Sequence, residues 1–254
     1  MKIANICPTS LLREVIDDEE TYHLVLCSHI LNDKAYAEFY RERSDRGDFV
    51  ILDNDAYENR FFDASSSIED LIRAADIVKP TEIVLPDTWD SNAVRALKDA
   101  EEAAYALRHL TFNGTTSFMA VPHGDNWKDF VGCVKRMRSI PLVNCLGIYK
   151  GIESTMMISR TRIALALGAS TDLHFLGMTD DMYEMLPVYN YVMRGVRGID
   201  SSKLIRWGLE GDHVTVDNIP EYPRRGDHYF DMESISPSQL EAIRHNISYW
   251  RSTV

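Results

Sequence analysis

Acidic residues stand directly after several strand-like segments of this sequence. Residues 50–52 lead to Asp53, residues 83–86 lead to Asp87, and residues 196–199 lead to Asp200. An imidazole, His123, follows another apolar segment, residues 118–122. Carboxylates can attack an electrophilic carbon or transfer protons. The pattern therefore predicts an active site assembled from the ends of strands.

Polar residues at the carboxyl ends of successive buried strands are typical of a (β/α)8 barrel with its active site on that rim. The length of 254 residues suits one such barrel. We therefore predict an α/β fold, a single TIM-type barrel over residues 1–254. Seven strands are predicted, over residues 23–27, 49–53, 82–87, 117–123, 143–148, 173–178 and 196–200. The eighth is predicted either at residues 203–207 or at residues 213–216.

Helical periodicity separates the predicted strands. The pattern predicts helices over residues 67–78, 90–107, 159–167 and 236–250. Residues 211–231 form an irregular segment that either faces the substrate or is plain surface. The alternation of strands and helices indicates parallel strands with helical crossovers.

Composition narrows the class of protein. The formal net charge of -12 argues against a general polyanion binder, so any contact with nucleic acid must use a local patch. No apolar run approaches the roughly 20 residues of a membrane span, and the amino terminus has no signal-peptide pattern. We therefore expect a cytoplasmic protein that does not contact membranes. Four scattered cysteines predict buried free thiols, with no metal site: Cys7, Cys27, Cys133 and Cys145.

The chemistry of two carboxylates on one rim suits displacement at the anomeric carbon of a sugar. Asp200 or Asp53 would attack to form a covalent glycosyl-enzyme while the other transfers protons, although either could be a simple helix cap. Asp87 could accept two parallel N–H bonds from a guanine-like edge, or could cap the helix that begins near residue 90. Tyr57 could stack on a flat heterocycle or simply pack.

In their order, these segments resemble the motifs of the tRNA-guanine transglycosylase superfamily. The closest resemblance is to its short phage and bacterial branch, which inserts 7-deazaguanine bases into DNA. The resemblance covers about residues 49–202. The matching segments are residues 52–58 (family Asp-Ser-Gly-Gly-Phe/Tyr-Gln), Asp87, residues 121–124 (Val-Gln-Gly), 145–148 (Gly-Leu-Ala), 173–178 (His-Tyr-Leu-Met-Gly) and 198–202 (Phe-Asp-Cys/Ser).

The resemblance implies a role for each matched residue. Asp200 would be the nucleophile that attacks C1′, Asp53 the general acid and base, and Asp87 the reader of guanine. The base would stack between Tyr57 and an apolar residue. Further residues implied in base binding are His123, Leu146, Gly147, Ile148, Leu176 and Gly177. The implied partners are DNA, single-stranded or with the target base flipped outward, and a free 7-deazaguanine such as preQ0. No cofactor or metal is implied.

Three departures from the family matter. Asp55 and Ala56 replace a Gly-Gly pair, and His123 replaces the glutamine that reads the base. His123 could still donate or accept a hydrogen bond, or it could be a histidine of the core or of a loop. The tRNA enzymes carry a C-x-C-x-x-C plus His zinc site after the nucleophile, but no cysteine follows Cys145 here. We therefore expect a barrel without the zinc-binding module, as in the DNA-modifying branch. A phage origin would place the protein in the host cytoplasm.

Basic residues bracket the predicted nucleophile and would contact the phosphates that flank the target nucleotide. They are Arg194, Arg197, Lys203 and Arg206. Alternatively, they are solvated charges paired with acidic neighbours. Three other functions stay open: a tRNA-guanine transglycosylase that lacks the zinc module, another barrel glycosidase, and a non-catalytic DNA-binding subunit. The sequence leaves the oligomeric state open.

Overall fold

Eight parallel strands form the centre of the fold in the computed structural model, which describes residues 1–57, 66–88, 91–110, 116–168, 172–179, 195–215, 217–220 and 229–252. The strand order in the sheet is β1-β8-β7-β6-β5-β4-β3-β2, and β1 also lies against β2. The sheet is therefore nearly closed, as in a (β/α)8 barrel. The strands are β1 (Lys2–Asn5), β2 (Tyr22–Leu26), β3 (Phe49–Asp53), β4 (Glu82–Val84), β5 (Ser117–Ala120), β6 (Val143–Tyr149), β7 (Asp172–Leu176) and β8 (Val196–Ser201).

The predicted fold class and the seven predicted strands are confirmed, with ends that move by a few residues. Both predicted positions of the eighth strand are wrong. Residues 203–207 lie in the helix Lys203–Glu210, and Thr215 makes only an isolated antiparallel bridge with Asn218. The missing strand is β1, which pairs with β8 and brings Ala4 opposite Asp200.

Helices follow the strands along the chain and cover the outside of the barrel. Ser67 and Asp70 form a reciprocal capping box that starts the helix after β3, as the pattern predicts. The helix predicted over residues 90–107 begins at Ala93, and residue 90 lies outside the described residues. The described helices are Leu12–Val15 after a short 3-10 turn at Thr9–Leu11, then Cys27–Asn32, Lys34–Asp45, Ile68–Val78, Ala93–Leu107, Trp127–Met137, Ile152–Met156, Arg160–Leu167, Lys203–Glu210 and Pro237–Ser252.

The core fills the space within the strands and between the strands and helices. Alternate residues of each strand point into the barrel or towards the helices, so most of β2 to β5 is buried on both faces. Five polar side chains are also buried in the described strands: Asn5, His23, Glu82, His174 and Ser201. Buried polar groups need partners. The partner of Glu82 lies at the amino-terminal end of the barrel, and a partner of His174 lies at its carboxyl-end rim.

Candidate active site

A cavity of about 160 Å³ opens at the carboxyl ends of the strands. Its lining includes Asp53 at the end of β3, Asp87 beyond β4 and Asp200 near the end of β8. Chain segments that leave parallel strands at one end of a barrel converge there, so residues far apart in sequence meet. The same cavity is lined by three further residues of the predicted site: Tyr57, Leu176 and Gly177.

Asp200 is held at the cavity through one of its two oxygens. Oδ1 lies 3.1 Å from Nε2 of His174 and accepts a hydrogen bond from the backbone N–H of Gly177 at 3.0 Å. Gly177 has a φ of +69°, a left-handed conformation that costs glycine little. Among the described residues, none hydrogen-bonds to Oδ2, and the side chain is 14% exposed. Oδ2 is therefore the oxygen that a ligand in the cavity would meet.

Asp53 begins the turn that follows β3, and a second carboxylate fixes that turn. The backbone N–H of Asp55 donates to Oδ2 of Asp53 at 3.2 Å. Asp55 has a φ of +60°, and its buried carboxylate accepts from the Ser28 N–H at 2.7 Å and the Ser66 hydroxyl at 2.9 Å. Burial raises the pKa of Asp55 against the lowering effect of these hydrogen bonds. Asp55 thus anchors the turn, while Asp53 lines the cavity.

Asp87 is held by two side chains, one on each oxygen. Nδ2 of Asn54 donates to Oδ1 at 2.8 Å and also to the carbonyl of Leu85 at 2.8 Å, which ties the end of β3 to the end of β4. Nε2 of His123 lies 3.2 Å from Oδ2. The helix that Asp87 could have capped has Asn92 as its N-cap instead. Asp87 is therefore oriented towards the cavity and does not cap this helix.

His123 lies behind Asp87, which corrects its expected place in the cavity. The side chain is completely buried and stacks on Tyr149 with ring centroids 4.6 Å apart. Its Nδ1 has no hydrogen-bond partner among the described residues. The polar partner of His123 in the structure is Asp87.

Leu146, Gly147 and Ile148 lie in β6, within the strand predicted over residues 143–148. They pair with β7 in register. A Cβ at Gly147 would lie 2.8 Å from Cδ1 of Leu176, so this glycine allows Leu176 to pack inside the barrel. Leu146 and Ile148 are buried. At this edge of the cavity, the end of β6 supplies Tyr149, followed by Lys150.

Lys150 is a cation of the cavity that the sequence patterns did not predict. Its Nζ donates to the hydroxyl of Tyr57 at 3.0 Å and lies 4.5 Å from the centroid of the Tyr57 ring. A Cβ built on Gly177 would lie 3.7 Å from Cδ of Lys150, so the lysine side chain runs beside the turn that holds Asp200. Lys150 therefore orients Tyr57, the predicted stacking residue, on this side of the cavity.

Of the basic residues expected near phosphates, Arg197 lies at the wrong end of the barrel. Its guanidinium pairs with Glu82, with Nη1 3.2 Å from Oε1, and lies 4.7 Å from the centroid of the Phe49 ring. Nε also donates to the hydroxyl of Tyr22 at 3.2 Å. These partners are the first residues of β2, β3 and β4, so Arg197 closes the amino-terminal end of the barrel. Arg194 lies outside the described residues.

Lys203 and Arg206 both line the cavity but differ in accessibility. Lys203 is only 2% exposed, and its Nζ donates to the carbonyl of Thr179 at 2.6 Å. Its burial corrects the expectation of a surface residue in contact with DNA phosphates. Arg206 is partly exposed, donates to the hydroxyl of Ser202 at 3.0 Å and stacks on Tyr229 at 3.9 Å from the ring centroid. Of the three described members of the basic set, Arg206 is the one placed to meet a phosphate.

Besides Lys150, three residues around the site were not predicted as members of it. His174 and Asn54 orient Asp200 and Asp87, and Arg160 donates to the carbonyls of Ile148 and Leu176 at 2.7 Å and 2.8 Å. Arg160 thereby holds together the ends of β6 and β7. His174 stands between the apolar residues Leu173 and Phe175, and a polar residue inside an apolar strand is the signal that could have revealed it.

The cysteines are free and buried, as predicted. Within the part of the chain that the structure describes, no group of three or more His, Cys, Asp or Glu side chains could hold a metal ion. The described helices also include none with the length and apolar character needed to cross a bilayer.

The fold and the cavity together define a (β/α)8-barrel protein with three carboxylates on its carboxyl-end rim. The sequence matches no model of a known protein family, and no curated protein is significantly similar to it. The chemistry of the cavity must therefore carry any assignment of a particular activity.

Proposed function

We propose that this protein exchanges guanine in DNA for a 7-deazaguanine base, preQ0 or a close relative, through a covalent aspartyl-deoxyribosyl intermediate. The observation that carries the proposal is the joint presence of Asp53, Asp87 and Asp200 at one cavity, each in a different hydrogen-bonding environment. Base exchange needs three separate functions from carboxylates: a nucleophile, a proton carrier and a reader of the base edge.

The first half of the exchange uses Asp200 and Asp53. An oxygen of Asp200 bonds to C1′ of the deoxyribose as the C1′–N9 bond breaks, and the bonding electrons pass to N9 of guanine. Asp53 supplies the proton that neutralises N9. In the second half, Asp53 takes the N9 proton of the incoming base, N9 bonds to C1′, and the Asp200 ester bond breaks. Atoms and charges balance, and each carboxylate returns to its starting state.

Recognition of both bases would use Asp87 and Tyr57. A carboxylate offers about four lone-pair positions, and Asn54 and His123 occupy one on each oxygen of Asp87. The remaining positions can accept the N1–H and the exocyclic amine that guanine and 7-deazaguanines share. Tyr57 and Leu176 line the same cavity and supply flat and apolar surface for the ring.

The acidic protein would meet its polyanionic substrate through a small basic area. Arg206 is partly exposed at the cavity beside Ser202. A phosphate next to the target nucleotide would lie within reach of this guanidinium. Because a stacked base hides C1′ and N9 from the rim, the enzyme would act on single strands or on a base flipped out of the duplex.

The test is nucleoside mass spectrometry of nucleic acid incubated with the protein and preQ0. Single-stranded DNA, duplex DNA and tRNA are compared in parallel, with Asp200→Asn as the matched control. We expect the deazaguanine nucleoside in DNA, and a protein–DNA adduct on denaturing gels that the variant lacks. Incorporation into tRNA alone would contradict the choice of DNA. No incorporation into any substrate by the folded protein would reject base exchange.

A further inference from the structure

A continuous line of polar side chains runs through the barrel from Asp200 to the opposite end. His174 lies 3.1 Å from Asp200 through Nε2, and its Nδ1 lies 2.7 Å from the hydroxyl of Tyr22. That hydroxyl accepts from Nε of Arg197 at 3.2 Å, and Arg197 is paired with Glu82. His174 and Glu82 are fully buried, and Tyr22 is 3% exposed.

The direction of each hydrogen bond follows from the groups themselves. A guanidinium only donates, so the Tyr22 oxygen is the acceptor from Arg197. Burial raises the pKa of Tyr22 above its ordinary value even though Arg197 lowers it, so the hydroxyl keeps its proton. Among the described residues, the remaining partner of that hydroxyl is Nδ1 of His174. Tyr22 therefore donates to Nδ1, which must be unprotonated.

The other nitrogen of His174 then carries the proton. With Nδ1 as an acceptor, the neutral ring has its hydrogen on Nε2, which faces Oδ1 of Asp200. An imidazolium would present Nδ1–H to the Tyr22 oxygen, which already accepts from Arg197, and would strand the buried Tyr22 proton. A buried donor without an acceptor destabilises the state that contains it. The fixed charge of Arg197 thus selects the Nε2–H tautomer from the far end of the barrel.

We infer that His174 is a positioning residue, held as the neutral Nε2–H tautomer by Tyr22, Arg197 and Glu82, which fixes Oδ1 of Asp200 and leaves Oδ2 for the sugar carbon. Gly198 provides the space that this arrangement needs. A Cβ there would lie 2.7 Å from the Tyr22 hydroxyl oxygen and 2.5 Å from its ring. The catalytic consequence rests on the proposed function, whereas the tautomer does not.

The tautomer is measured directly by 15N NMR of the histidine rings in the intact protein, with His174→Gln identifying the signals. We expect one His174 nitrogen with the shift of a protonated ring nitrogen, Nε2, and one with that of an unprotonated nitrogen, Nδ1. Two protonated nitrogens, or a proton on Nδ1, would overturn the inference whether or not base exchange occurs. The expected tautomer without any exchange would leave this inference standing and reject only the activity.

Kinetics test the positioning role. Tyr22→Phe removes the hydroxyl alone, and we expect kcat for base exchange to fall on the order of 100-fold with the KM of the base unchanged, as for misplacement of a reacting group. Tyr40→Phe is the matched control, because Tyr40 is also a buried tyrosine but lies in the helix Lys34–Asp45. We expect it to keep wild-type kcat.

Rescue by a conservative variant separates positioning from plain packing. Gln at position 174 can still direct an amide N–H to Asp200, whereas Leu cannot. We expect His174→Gln to have a kcat at least about tenfold above that of His174→Leu when thermal denaturation shows both to be folded. Equal rates in the two variants, or an unchanged rate in Tyr22→Phe, would refute the role of His174.

Discussion

The ion pair between Glu82 and Arg197 allows a test of the barrel interior that does not depend on any activity. Glu82 is fully buried, and the side chain of Arg197 is 18% exposed. Burial alone would lower the pKa of Arg197, but its hydrogen bonds to Glu82 and the attraction of that carboxylate raise the pKa above its ordinary value. The perturbation is Glu82→Gln, which keeps the shape and removes the negative charge.

The expected loss of stability follows from the burial of the ion pair. Removing one partner leaves the other charge buried without compensation, which costs about 3–5 kcal/mol. For a domain of this length, a change of 1 kcal/mol shifts Tm by roughly 2 °C, so Glu82→Gln should lower Tm by roughly 6–10 °C. Arg197→Met should destabilise by a similar amount. The double variant should be more stable than the sum of the two losses predicts, by about 2 kcal/mol or more.

The assay is urea denaturation of the wild type, both single variants and the double variant. Arg197→Met also breaks the hydrogen bond to Tyr22, but that loss occurs in both the single and the double variant and cancels in the cycle. The exposed pair of Arg13 and Glu42 is the control, and its cycle should be additive because water screens both charges. A coupling below about 0.5 kcal/mol for Glu82 and Arg197 would refute the reasoning.

Three further predictions concern recognition, DNA contact and pH. Asp87→Ala should lower kcat/KM for guanine and for the incoming base together. Wild-type values of kcat/KM for both bases would show that Asp87 does not recognise them. Arg206→Ala should raise the KM of DNA and flatten its salt dependence, while Lys203→Ala should chiefly lower Tm because that side chain is buried; the reverse pattern would contradict both placements. Burial raises the pKa of Glu20 to about 7 against the opposing hydrogen bond from Asn5, so its contribution to stability is present below pH about 4.5 and is lost as the pH rises towards 7. In urea denaturation, the free energy of unfolding of the wild type should therefore fall by roughly 3 kcal/mol between pH 4.5 and 8. Glu20→Gln should abolish this fall, and equal pH profiles for the two proteins would refute the raised pKa of Glu20.

The barrel was predictable because its buried apolar strands alternate with helical periodicity along the sequence. The predicted bounds of β3 match the observed ones, because four apolar residues, 49–52, are followed by the carboxylate of Asp53 and a turn. β1 was missed because Lys2–Asn5 has polar residues at both ends, and because its status as a strand depends on β8 arriving beside it. The helix Lys203–Glu210 was partly read as a strand, although its buried Leu204, Trp207 and Gly208 follow helical spacing.

The carboxylates of the candidate site were predictable from the sequence, but the side chains that hydrogen-bond to them were not. Asp53, Asp87 and Asp200 follow strands, and the fold brings all such positions to one rim. Which side chain faces the cavity and which stands behind it depends on three-dimensional packing. His123 was expected to contact a ligand, yet Tyr149 and Asp87 enclose it. The spacing of residues along the sequence does not show how deeply a side chain such as His123 is buried.

The pairing of β1 with β8 has a consequence for the order of folding. The register that sets Ala4 beside Asp200 joins the first and the last of the described strands. Contacts so distant in sequence form late, because the loop they close costs the most entropy. Asp200 would reach its final position only when the circle of strands is complete. A ribosome-bound chain that is halted before β8 is released would therefore lack Asp200 at the cavity, and the rim would be complete only when the last strand pairs with the first.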